Sequence, residues 1–157
     1  MSRQFAFGQE NSYSRSSFLR FRENVKSAYI LMPKQANTRM LVAVSDLFFT
    51  VKILDAAKRS HMQAEMVKTS EELMEKAKGG PALIIFDLNF DLMEPVKMIA
   101  ELKKEPETKN TGMIAFVSQI QAELKKEAHD AGCDMVLARS AFSQNLDQIL
   151  RRYSGAV

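Results

Sequence analysis

From residue 40 onward the chain keeps one rhythm: a short apolar run, then a stretch with apolar residues at helical spacing, five times over. The runs cover residues 40–44, 64–67, 82–86, 113–117 and 135–138. Runs of four or five residues are strand-sized, and those without polar alternation suit strands covered on both faces. Between and after them, Leu47, Val51, Leu54 and Ala57 share one helical face, as do Leu73 with Ala77, Val96 with Ile99 and Leu102, Ile120 with Leu124 and Ala128, and Leu146 with Ile149 and Leu150. Turn chemistry falls in step. Thr69 with Glu72 and Ser118 with Gln121 have capping-box spacing, Gly79, Gly80 and Pro81 close the second helix, Pro95 suits a first helical turn, and Gly132 a helix exit. Right-handed crossovers then make the sheet parallel, with helices on both faces: an α/β, (βα)5 doubly wound, three-layer sandwich.

Residues 40–153 make up that body, and the 157-residue chain is of single-domain length. Residues 154–157 are a short tail. Residues 1–39 show no period; they hold seven cations and two acids, a balance of +5, so the remainder carries −2 of the net +3. A basic extension, expected to be flexible and dispensable for folding, thus precedes a mildly acidic body, and the overall pI of about 9.0 describes neither part. Nucleic acid is not the expected partner. The one cysteine, Cys133, excludes an intramolecular disulfide and a cysteine-based zinc cage. No apolar stretch approaches the ~20 residues of a membrane helix, so a cytoplasmic protein is the default expectation.

In this architecture ligands bind beyond the C-terminal strand ends. Four places lie there: Ser45-Asp46, Asp87-Leu88-Asn89, Ser118 and Arg139. Two carboxylates in one crevice repel unless a cation or proton separates them, and hard oxygen ligands suit Mg²⁺. A carboxylate beside such a cation, with a hydroxyl and a fixed positive charge nearby, is what a phosphoryl-accepting aspartate needs.

On these residues, the stretch from Met40 to Leu150 resembles the receiver domain of bacterial two-component response regulators. The segment Ile84-Ile85-Phe86-Asp87-Leu88-Asn89 matches the family's phosphoacceptor motif, with Asp87 as acceptor. Ala115-Phe116-Val117-Ser118 supplies the hydroxyl position. The first motif reads Leu41-Val42-Ala43-Val44-Ser45-Asp46, with serine for one acid of the usual pair. The last reads Met135-Val136-Leu137-Ala138-Arg139-Ser140, with Arg139 for the family's lysine, Ser140 for its proline and Val136 for its aromatic switch. The resemblance implies strand order 2-1-3-4-5 and phosphoacceptance at Asp87 assisted by Ser118 and Arg139. It also implies weak Mg²⁺ binding by Asp46, Asp87 and the Asn89 carbonyl. The expected partners are a histidine kinase or phosphotransfer protein and a downstream protein on the helix-four, strand-five, helix-five face. Such a module is a stand-alone signalling protein and not an enzyme.

Each residue also has a plainer reading. Asp46 is a good N-cap for the first helix, Asp87 a loop residue capping the third, and Ser118 a cap for the fourth. Arg139 could pair with Asp46 or Asp87 in place of a metal. If those readings hold, the chain is a phosphorylation-independent pseudo-receiver acting as a scaffold. His61, His129 and the Lys-Lys-Glu runs suit solvated surfaces, and Cys133 a buried small hydrophobe. A flavin or nucleotide site is disfavoured by the bulky, glycine-free Ser45-Asp46-Leu47-Phe48-Phe49 loop.

Overall fold

A computed structural model describes residues 37–118 and 121–155. The expectations placed on residues 1–36, Ile120 and residues 156–157 fall outside the described residues. The elements alternate as β1 (Arg39–Ala43), α1 (Leu47–Arg59), β2 (Gln63–Met66), α2 (Ser70–Ala77), β3 (Leu83–Asp87), α3 (Pro95–Lys104), β4 (Gly112–Val117), α4 (Ala122–Asp130), β5 (Met135–Ala138) and α5 (Arg139–Ser154), with a 3-10 turn at Asp91–Met93. The five strands form one sheet in the order β2-β1-β3-β4-β5, and every pairing is parallel. This is the order expected.

The sheet sorts its side chains by alternation. Leu41, Ala43, Ile84, Phe86, Met113 and Ala115 face the layer built by α2, α3 and α4. Met40, Val42, Leu83, Ile85, Ile114 and Phe116 face α1 and α5. The central strand β3 is buried along its whole length, which is why its sequence is an unbroken apolar run ending in one carboxylate. The edge strand β2 is half-exposed, and its Glu65 is bracketed by Lys76 at 2.8 Å and Arg39 at 3.7 Å. Charge of this kind keeps an edge from pairing with another sheet.

The core face of α1 is a correction. Phe49, Ile53, Ala56 and Ala57 carry it, whereas Leu47 and Val51, expected on the inner face, are 76% and 51% exposed. Helical spacing identifies two apolar stripes on this helix. The choice between them is made by Phe49, whose ring lies 5.1 Å from Phe116 and 6.4 Å from Phe142 in the layer between sheet and α5.

At α2 the capping expectation holds: the Thr69 hydroxyl accepts the Glu72 N–H at 3.1 Å, and the Glu72 carboxylate accepts the Lys68 N–H at 3.0 Å. Thr69→Ala should cost about 1 kcal/mol, visible as a lower urea midpoint with an unchanged slope. An unaltered midpoint would mean that water replaces the cap at no cost. Gly132 leaves α4 with φ of 109°, where a side chain would be strained and would press on Lys103.

Candidate functional site

The C-terminal strand ends gather the polar residues singled out from the sequence. Asp46 follows β1 with extended backbone and caps α1, its Oδ1 accepting the Phe49 N–H at 3.0 Å. Its second oxygen, Oδ2, accepts a hydrogen bond from the Arg139 guanidinium at 3.1 Å. The capping and ion-pair readings therefore coexist, one on each oxygen. The backbone hydrogen bond from Phe49 and the charge of Arg139 hold the Asp46 carboxyl below its ordinary value.

Asp87 ends β3 and is only 3% exposed. Its Oδ1 accepts the Asn89 N–H at 3.0 Å, an Asx-type turn that aims the loop away from the strand. It does not cap α3, whose N-cap is Glu94. The nearby Ser45 hydroxyl also favours the ionised Asp87 carboxylate, to a small extent. Burial raises the pKa of Asp87 above its ordinary 3.8, and the Asn89 N–H and the Arg139 charge only partly offset it. Two neighbouring carboxyls are thus pushed in opposite directions: Asp46 is readily ionised, whereas Asp87 retains its proton more strongly.

Ser118 departs from the capping expectation. Helix α4 starts at Ala122, and its N-cap Gln121 makes no side-chain cap bond, so Ser118 lies too far upstream to serve it. Its N–H and hydroxyl both donate to the Asn89 amide oxygen, at 2.9 and 2.8 Å. Strands β3 and β4 are parallel neighbours with Asp87 opposite Phe116, which brings the Asn89 loop beside the end of β4. The Asn89 side chain, which sequence reasoning left unassigned, is the clasp between the two loops.

Arg139 opens α5 directly after β5. Its guanidinium carbon lies 4.2 Å from the Phe49 ring centroid and 5.9 Å from that of Phe116, so the cation is bedded on aromatic faces. Its Nε is buried and has no hydrogen-bond partner among the described residues. Sequence reasoning also missed the aromatic support; the available signal was Phe49 at the third position after a helix-capping aspartate. Cys133 takes no part, since it precedes β5 at the opposite edge of the sheet, where burial pushes its thiol up to about 11.

The segments that follow β1 and β3 also carry exposed apolar side chains. Leu47 and Phe48 from the start of α1 and Leu92 from the 3-10 turn are among the exposed large hydrophobic residues. No described helix is long and apolar enough to cross a membrane.

A parallel, doubly wound sheet of order 2-1-3-4-5 with carboxylates at the ends of β1 and β3 defines the flavodoxin-like class. Within that class the fold is that of the response-regulator receiver domain. The phosphorylated cyanobacterial phytochrome response regulator RcpA superposes with a TM-score of 0.63 at 20% identity, covering 74% of this chain and 91% of that one. A response regulator from Chloroflexus aurantiacus gives 0.67 at 15% identity over 75% and 98% of the two chains. The receiver domain of the sensor histidine kinase PA1611 from Pseudomonas aeruginosa, with a magnesium ion coordinated in its active-site cleft, gives 0.66 at 16% identity over 77% and 100%. No family model matches the chain, and no curated protein does.

The crevice here fits a divalent ion poorly. Ser45 is neutral, and Asp46 has one oxygen on a backbone N–H and the other on Arg139. Among the described residues no three His, Cys, Asp or Glu side chains converge as a ligand set.

Proposed function

We propose that this protein is a receiver-type signalling module that accepts a phosphoryl group on Asp87 and acts by binding other proteins. The observation that carries the reading is the buried Asp87 carboxylate at the end of the central strand. It accepts a hydrogen bond from the Asn89 N–H and feels the charge of Arg139. In the transfer, an Asp87 oxygen attacks phosphorus and a new O–P bond forms. The bond from phosphorus to the donor's leaving group breaks, and its electron pair departs with that group. Arg139 neutralises the charge on the phosphoryl oxygens. The Ser118 hydroxyl, released from Asn89, can turn to one of those oxygens, which couples acceptance to the β4–α4 loop.

The donor in this reading is a histidine kinase or phosphotransfer protein, reaching Asp87 past the exposed Leu47, Phe48 and Leu92. The downstream partner binds along α4, β5 and α5. In support, β5 is an edge strand, and beside it a groove of about 330 Å³ is lined by Met135, Leu137, Asn145, Ile149 and Tyr153. Divalent ions are expected to bind the crevice weakly, because so few oxygens remain for them.

Incubation with acetyl phosphate should add one phosphate, detected by intact mass and mapped to Asp87 by borohydride reduction and peptide analysis. A protein that stays unmodified alongside a modified control receiver is the pseudo-receiver scaffold, with the fold retained and the switch lost.

A further inference from the structure

We infer that Arg139 is the resident cation of this crevice. Its guanidinium is fixed on Asp46 and the Phe49 ring, so that an anion at Asp87 meets a built-in countercharge where a divalent metal would otherwise supply it. This rests on Asp87 as the phosphoryl-accepting carboxylate and deepens that reading by naming its countercharge.

Three observations converge. The first is electrostatic placement. Arg139 is the first residue of the 16-residue helix α5, where the helix dipole presents positive charge and disfavours a cation. Its N-cap, Ala138, makes no side-chain cap bond. A cation there is out of place as a helix former, and Asp46, 93 residues away in the chain, is what offsets it.

The second is the shared support. Phe49 donates its N–H to Asp46 and lends its ring to Arg139, so cap, carboxylate and guanidinium form one unit. A flat, weakly hydrated guanidinium stacks on rings as a compact ammonium does not. The Arg139 side chain is 32% exposed, open enough to meet an incoming anion.

The third is competition. A divalent ion seeking Asp46 must displace either the α1 cap or the Arg139 contact, and it must then sit beside a like charge. Serine at position 45 removes the acid that would otherwise hold it. The acceptor carboxylate still feels the charge of Arg139. A partial countercharge is therefore built into the crevice and needs no ion from solution.

The test titrates the full chain with Mn²⁺ alone and follows paramagnetic broadening of the Asp46, Asp87 and Leu88 amide signals. The wild type should respond weakly. Arg139→Gln, which keeps a donor and removes the charge, should bind about tenfold more tightly. Arg139→Lys should fall between them and shows whether charge or shape matters more. Ser45→Asp should also tighten binding, and it leaves the Arg139 contact in place should an Arg139 variant misfold. Equal affinity of wild type and Arg139→Gln would overturn the inference.

A second arm repeats the acetyl phosphate reaction with excess chelator. The wild-type adduct should persist within about twofold, whereas Arg139→Gln should become dependent on added Mg²⁺. An adduct that forms on the wild type only with Mg²⁺ overturns the inference while leaving the acceptor role of Asp87 intact. If no adduct forms under either condition, the acceptor reading fails, and the Mn²⁺ titration alone decides the place of Arg139.

Discussion

Asp87→Asn should abolish the phosphate adduct and, at the same time, raise the thermal midpoint at neutral pH. The carboxylate is nearly inaccessible to solvent, and burial raises its folded pKa above the ordinary 3.8. A group shifted upward in this way binds more protons folded than unfolded. Stability is greatest below the unfolded value and falls as pH climbs from 3.8 through the folded one. Asparagine keeps the shape and an oxygen for the Asn89 N–H without the buried charge. The gain should be roughly 1–2 kcal/mol, several degrees in midpoint for a domain of this size. The gap between variant and wild type should open above pH 3.8 and stay level beyond the folded value. A lower midpoint for the variant at pH 7 would show that its neighbours more than compensate the buried charge.

Phe116→Ala should be the most damaging single truncation near the site. Phe116 lies on β4 opposite Asp87, fully buried, with its ring 4.7 Å from Phe142 and 5.1 Å from Phe49. Removing it empties the middle of a three-ring stack joining the sheet to α1 and α5. Such a cavity costs ~3–5 kcal/mol, a large fraction of the 5–15 kcal/mol that ordinarily holds a domain together. Urea denaturation should show the midpoint falling sharply. Because the same stack beds Arg139, Phe116→Leu, with its smaller stability loss, should loosen the Asp46 contact as well. The amide signal of Phe49 reports that contact directly. A loss below 1 kcal/mol for Phe116→Ala would mean that the two neighbouring rings close the gap.

The architecture was legible because its determinants are local. Strand length, helical spacing, Thr69 ahead of Glu72, and Pro95 at the start of α3 each act within a few residues, and all agree with one topology. Once that topology is established, geometry alone sends Asp46, Asp87, Ser118 and Arg139 to the same sheet edge. Their candidacy therefore followed from position and residue type before any distance was known.

What each side chain touches there was a different matter. Ser118 had a local offer from α4 and a distant one from Asn89, and the parallel pairing of β3 with β4 brought the distant one within 2.8 Å. Leu47 and Val51 matched a core stripe as well as Phe49 and Ile53 did, until the Phe116 and Phe142 rings selected the second. Arg139 could have met either carboxylate. It meets Asp46 because α1 and α5 lie on the same face of the sheet and Phe49 supports it there. The sequence by itself determined the fold and the set of groups at the site, since periodicity and turn chemistry are read over short stretches of chain. Only the tertiary structure decided how those groups pair, because competing partners of similar chemistry are separated by a few ångströms set by packing between distant elements.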